Sequence, residues 1–141
     1  MNIRNYTEAD YMEIESLYKE ANSFGGQFDE ARDSAEKLKT LTASKSDAIL
    51  VAEEGGKVMG TVTLFEDGRS AWLYRFAVAQ NAQSDDVAQL LYDNASSLLK
   101  GKGHTQVLVY APVGDKKFEN RYTKLGFNKG HDFTAYWQDL K

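Results

Sequence analysis

Three apolar runs joined by two short glycine turns lie between positions 48 and 78, and they limit the fold more than anything else in the chain. Ala48 to Glu53 is a run of the fully buried kind, and Glu54-Gly55-Gly56-Lys57 turns the chain. From Val58 to Phe65 the pattern alternates. This sets Val58, Gly60, Val62 and Leu64 on one face and Met59, Thr61, Thr63 and Phe65 on the other. Asp67-Gly68 is a two-residue hairpin signal. Ser70 to Val78 then returns with Trp72, Tyr74, Phe76 and Val78 on one face. The segment predicts an antiparallel meander.

Elements with other periods surround it. Met1 to Tyr6 reads as a short strand, and Thr7 caps a helix with Asp10 as the capping-box acid. Tyr11, Ile14, Leu17 and Tyr18 share a helical face, which Asn22 to Gly26 breaks. Phe28, Ala31, Ala35 and Leu38 predict a second helix, with Thr42 to Ser46 as a loop. Ser84 is placed to cap a long helix whose stripe is Val87, Leu90, Leu91, Ala95, Leu98 and Leu99, ended by Gly101 and Gly103. Gln106 to Ala111 reads as a buried strand. Gly114-Asp115 opens a helix with Phe118, Tyr122 and Leu125 on one face and Gly126 at its end. Phe133 to Leu140 reads as a last strand. The expected class is α/β with a mixed sheet. The segment from Ser70 to Ala111 forms a parallel crossover, and a ligand crevice falls between the Ser70–Val78 and Gln106–Ala111 strands.

With 141 residues the chain fits a single domain, 1–141. It has no cysteine, which excludes disulfides, thiolate metal sites and cysteine nucleophiles. Two histidines far apart in sequence make no metal site. A net charge of −4 with no basic cluster argues against nucleic acid. No leader pattern opens the chain and no apolar run spans a bilayer, so no membrane partner is expected and the cytoplasm is the expected location.

The order of elements and the motifs at their joints resemble the GNAT superfamily of N-acetyltransferases over essentially the whole chain. Ile3 to Asp10 resembles the family's opening strand and first helix, and Phe76-Ala77-Val78 the end of its fourth strand. Tyr122-Thr123-Lys124-Leu125-Gly126-Phe127 resembles its tyrosine–lysine–leucine–glycine–phenylalanine signature. The resemblance implies the family's acyl-CoA N-acyltransferase fold, with a largely antiparallel sheet, splayed central strands and about four helices. It implies acetyl-CoA as co-substrate, no metal, and transfer of an acetyl group to the primary amine of a small molecule or exposed peptide, by a monomer or homodimer.

The resemblance also implies roles. Backbone groups of Phe76, Ala77 and Val78 bond the pantetheine arm as an added strand would and polarise the thioester carbonyl. Tyr122 protonates the leaving thiolate. The family's pyrophosphate loop falls on Gln83, Ser84, Asp85, Asp86, Val87 and Ala88. Gln83 and Ala88 match it, but Asp86 replaces the central glycine. A carboxylate at about 5 Å from a phosphate, at an effective dielectric of 20 to 40, repels it by roughly 1–3 kcal/mol. Asp115 stands where the family often has asparagine, and Phe118 where it has alanine. The acceptor is expected against Phe24, Gly25, Gly26, Gln27, Phe28 and Tyr74. Glu66, Tyr74 and Glu119 are the positions open to a general base, as is a water chain. Glu66 is equally a hairpin residue, His104 a solvated loop histidine, and His131 a residue near the last strand. The acidic departures leave two alternatives: a degenerate member acting as a binding or regulatory module with weak or no acetyl-CoA binding, or use of another acyl donor.

Overall fold

A computed structural model describes residues 1–21, 28–81 and 83–140. The chain divides into two compact units, Met1–Tyr110 and Ala111–Lys141. The first is built on a four-stranded antiparallel sheet in sequence order: β1 (Asn2–Asn5), β2 (Ile49–Glu54), β3 (Lys57–Glu66) and β4 (Ala71–Val78). The expected meander is β2–β3–β4, and β1 adds to it beside β2.

Helix α1 (Tyr11–Ala21) follows a 3-10 turn at Glu8–Asp10. The capping box holds that turn: Thr7 N donates to Asp10 Oδ2 at 2.8 Å, and Asp10 N to Thr7 O at 2.9 Å. Arg4 clamps the same carboxylate through two bonds of 2.8 Å and reaches Glu53 at 2.6 Å, which ties the entry of α1 to β1 and β2. The single helix expected over 28–41 is two. α2 (Glu30–Asp33) is capped by Asp29, and α3 (Ala35–Ser44) starts at Ser34, whose extended backbone breaks the run. Ser34 Oγ accepts from Lys37 N at 3.2 Å, so a new N-cap forms inside the apolar spacing. Residues 42–44, expected in a loop, are helical, with Thr42 Oγ1 bonded back to Leu38 O at 2.9 Å.

The faces of the sheet follow from its register. Ile49, Val51 and Ala77 join Ile14, Leu17 and Tyr18 of α1 in one buried cluster. The other face meets α4 (Ser84–Gly101). Gly60 makes that approach possible: a Cβ there would lie 2.9 Å from Val87 Cγ1 and 3.2 Å from Ala77 O. The buried stripe of α4 is Val87, Ala88, Leu91, Ala95 and Leu99, while Leu90, expected within it, is 38% exposed. Burial of Val87, Leu91 and Leu99 contributes about 1.5–3 kcal/mol each.

Two bulges change the predicted faces. Between Ala52 and Glu53 the β2–β3 register shifts, and Val58 joins the α1-side cluster rather than the face of Gly60 and Val62. In β4, Thr63 pairs with Tyr74 but Thr61 with Ala77, so the strand carries one extra residue there. Arg75 takes it up at φ +50°, a left-handed backbone uncommon outside glycine. Trp72 and Tyr74 therefore share the α1 face, whereas Phe76 and Val78 turn to the α4 face, where strict alternation had put all four together. The hairpin before β4 is longer than predicted. Residues 67–70 form it, with Gly68 at φ +85° and Asp67 Oδ1 accepting from Arg69 N and Ser70 N.

After α4 the chain runs back beside β4 but makes one parallel bridge, Trp72 with Leu108, rather than a strand over 106–111. The bridge fits the expected parallel crossover. The pairing stops there, and the bulge turns β4 three residues later, at Arg75.

In the second unit, α5 (Lys116–Lys124) is capped by Asp115, which accepts from Lys117 N at 3.1 Å and Phe118 N at 3.4 Å. Its end is a Schellman motif: Phe127 N donates to Tyr122 O at 2.9 Å, Gly126 N to Thr123 O at 3.1 Å, and Gly126 sits at φ +92°. The expected strand over 133–140 is not formed. Phe133 and Trp137 are exposed, because strand-like composition alone supplies no ladder partner.

Candidate functional site

The site is built where β4 changes character. Up to Leu73 the strand is bonded on both edges: Leu73 N donates to Leu108 O and Leu108 N to Ala71 O, each at 2.9 Å. Beyond it, that edge of β4 meets no further strand among the described residues. Phe76, Ala77 and Val78 therefore present an open backbone edge while their side chains are buried. An extended, amide-bearing chain fits such an edge.

Arg75, at the turning point, is 3% exposed and lies in a buried ion pair. Its Nε and Nη2 donate to Asp33 Oδ1 and Oδ2 at 3.1 and 2.7 Å. The guanidinium also lies 5.1 Å from the Tyr74 ring centroid and 5.7 Å from that of Tyr18. Asp33 Oδ2 accepts from Asp29 N at 2.9 Å as well, so α2 is bonded directly to the bulge. The sequence offered one signal for this lock, an arginine within a run otherwise expected to be apolar. Nothing in it pointed to Asp33.

A cavity of about 530 Å³ opens beside the bulge, lined by Tyr18, Asp33, Leu38, Thr63, Tyr74 and Arg75 among others. That is within the range of small-molecule sites. Tyr74, expected against the acceptor, is among the residues that line it. Phe28 instead packs on the α1-side core with Lys19 Nζ 4.8 Å above its ring. Phe24, Gly25, Gly26 and Gln27 lie outside the described residues.

Glu66 lines the cavity from the end of β3. It bonds His104 Nε2 at 2.8 Å and Lys45 Nζ at 2.9 Å, and these hold its carboxyl down at about 2. Such a carboxylate is a poor base near neutrality. His104, expected in solvent, is buried by this contact. The other open positions for a base divide: Tyr74 lines the cavity, and Glu119 is bonded to Lys116 and Lys129.

At the start of α4, Gln83 is the N-cap and Ser84 the first helical residue, reversing the expected assignment. Ser84 Oγ lies 2.7 Å from the carbonyls of both Ala79 and Asn81 and accepts from Asn81 N, so it closes the loop rather than capping the helix. Val87 and Ala88 bury their side chains under the sheet, which leaves only backbone to face a ligand. Asp85 and Asp86 are exposed in the first turn. Carboxylates there stabilise the helix end but oppose a phosphate.

In the second unit, Tyr122 is half-buried between Phe118 and Phe127, with centroids 6.3 and 5.6 Å away. Burial pushes its phenol up to about 12, with Arg121 opposing. The Asp115 carboxylate is engaged as the α5 cap.

Comparison with known proteins fits this layout. The model of the acetyltransferase (GNAT) family matches residues 11–127. Among solved structures, the chain superposes on an aminoglycoside antibiotic 6'-N-acetyltransferase, AAC(6')-IG, from Acinetobacter haemolyticus, with a TM-score of 0.74 at 17% identity over 100% of both chains. It also superposes on the PaiA N-acetyltransferase from Thermoplasma acidophilum in complex with coenzyme A, with a TM-score of 0.74 at 19% identity over 90% of this chain and 89% of that one. A ribosomal-protein-alanine N-acetyltransferase from Brucella melitensis gives 0.72 at 19% identity over 93% and 86%. At these identities the likeness is one of fold. No curated protein sequence matches the chain.

Proposed function

Since the chain belongs to the GNAT acetyltransferase family, we propose that it works as a single catalytic domain transferring an acetyl group from acetyl-CoA to an amine held in the cavity beside Tyr74 and Arg75. The observation that supports this most is the junction at Arg75, where an open strand edge and a ligand-sized cavity adjoin in one unit.

In this reading the cofactor supplies an activated thioester. Backbone groups of Phe76, Ala77 and Val78 hold the pantetheine arm, and an N–H among them polarises the carbonyl oxygen. The cavity orients the acceptor. Its amine, once neutral, attacks the carbonyl carbon. A C–N bond forms, the C–S bond breaks, the amine loses a proton to solvent, and the leaving thiolate gains one. Tyr122 is assigned that last proton. A phenol held above its usual range keeps its proton through neutral pH and gives it up less readily than an ordinary tyrosine. Backbone from Gln83 to Ala88 receives the pyrophosphate at the start of α4, with Asp86 weakening that contact. Asp115 serves the cofactor only through the helix that it caps.

The acidic first turn of α4 favours one second reading, a family member that binds acetyl-CoA weakly and acts as a binding module. Titration calorimetry with acetyl-CoA, followed by thiol release in the presence of amines, separates the two. Micromolar binding with amine-dependent release supports the transferase. Absence of heat at millimolar cofactor removes it.

A further inference from the structure

The cavity beside Arg75 has a charge pattern that selects its occupant. One wall is apolar, made by Leu38 and Leu41 of α3 and Phe65 of β3. Both of its carboxylates are already neutralised. Asp33 is held in two bonds by Arg75, and Glu66 by His104 and Lys45. Two further groups of the lining are placed to meet a ligand. Lys37, which also lines the cavity, makes no ion pair among the described residues. Tyr18 Oη, on a side chain that is 1% exposed, makes no hydrogen bond of good geometry, the Thr63 hydroxyl being near but poorly placed. Burial raises the pKa of that phenol, with Thr63 opposing, so it remains a neutral hydroxyl. A buried hydroxyl without a well-formed hydrogen bond is unusual in a folded protein and is satisfied when a ligand brings a polar atom to it.

We infer that the acceptor is a small amino carboxylate with an apolar body, an amino acid with an apolar side chain being the simplest case. Its carboxylate faces Lys37, its body lies on Leu38, Leu41 and Phe65, and a polar atom reaches Tyr18 Oη. A polycationic amine finds no open carboxylate here and meets an unpaired lysine instead. As an assignment of substrate this rests on the acetyl-transfer reading; as an assignment of ligand it does not.

The test is a methyl NMR titration of the leucine-labelled full chain with phenylalanine, phenylalaninamide and spermidine as probes. Phenylalanine shifts the methyls of Leu38 and Leu41. Phenylalaninamide, which lacks the carboxylate, binds about tenfold more weakly, a difference of about 1.4 kcal/mol. Spermidine leaves these methyls unmoved. Lys37→Glu, a surface change, abolishes the preference for the carboxylate over the amide. Tyr18→Phe keeps the fold and weakens phenylalanine, whereas a hydroxyl with no ligand role leaves its affinity unchanged. Spermidine shifting the same methyls at equal or lower concentration overturns the inference, and so does the absence of any shift at millimolar phenylalanine. Thiol release from acetyl-CoA, measured separately, tests the reaction. Shifts without release from any amine remove the acetyl transfer and leave the ligand class standing. Release with spermidine but not phenylalanine does the reverse.

Discussion

The two halves of β4 have similar composition and opposite surroundings. Ala71 to Leu73 is bonded by β3 on one edge and by Leu108 on the other. Phe76 to Val78 has β3 as its one neighbouring strand among the described residues. One residue, Arg75, separates a half with strand partners on both edges from a half that β3 alone flanks among the described residues. Both halves bury most of their side chains, so side-chain burial does not tell them apart. The difference lies in backbone hydrogen bonding, and the buried ion pair to Asp33 holds it in place.

The sharpest way to break this contrast is to remove the partner of Arg75. Asp33→Ala leaves a guanidinium buried without its carboxylate, and stability in urea unfolding should fall by about 3–5 kcal/mol. A loss under about 1 kcal/mol would mean that water or another group already serves Arg75. Next in size is the floor beneath the open half. Gly60→Ala forces a Cβ against Val87 and the Ala77 carbonyl, and overpacking of this kind costs about 1–3 kcal/mol. An unchanged midpoint would show that α4 shifts freely. The open half is sharpened instead by Asp86→Gly, which removes a charge from the first turn of α4. Acetyl-CoA affinity by calorimetry should rise about tenfold, or about 1.4 kcal/mol. No change would place the phosphates elsewhere.

The smallest effect concerns the closed half, where Glu66 pairs with Ala71. His104 and Lys45 depress the Glu66 carboxyl to about 2. A depressed carboxyl contributes stability that is complete above its ordinary range near 4.5 and is lost as pH falls toward 2. Acid titration of the melting midpoint should therefore show a fall across that window that Glu66→Gln removes. An identical profile in the variant would mean that other carboxylates govern acid unfolding.

Much of this architecture was legible in the sequence, because periodicity reports burial. The meander, α1, α4 and the Gly126 stop all follow from spacing and from residues with special backbone freedom. The misreadings have one physical origin. Period-2 alternation assumes an unbroken ladder, so the extra residue at Arg75 was invisible and Phe76 and Val78 were put on the wrong face. In the same way, Ser34 sits inside an apolar spacing yet starts a new helix, since an N-cap bond competes with continuation. The runs at 106–111 and 133–140 have strand composition without a ladder partner among the described residues. Of the candidate site, the resemblance pointed to Phe76, Ala77 and Val78 on the strand edge and to Tyr74 and Glu66 at the cavity. The rest of the cavity was not legible. Tyr18, Asp33, Leu38, Thr63 and Arg75 come from five separate elements, and no local pattern links them.

Position 75 has a consequence for how sequences can vary here. Its backbone angle suits glycine, while its side chain answers an acid 42 residues away. Glycine relieves the first demand and strands Asp33; an apolar residue does the same and keeps the strain. Each of these single replacements at 75 leaves one of the two demands unmet. Viable variants are expected only as joint replacements of 33 and 75, glycine at 75 with an apolar residue at 33 being the simplest. A library that changes one site at a time will score both as immutable, while a paired library will find them free to drift together.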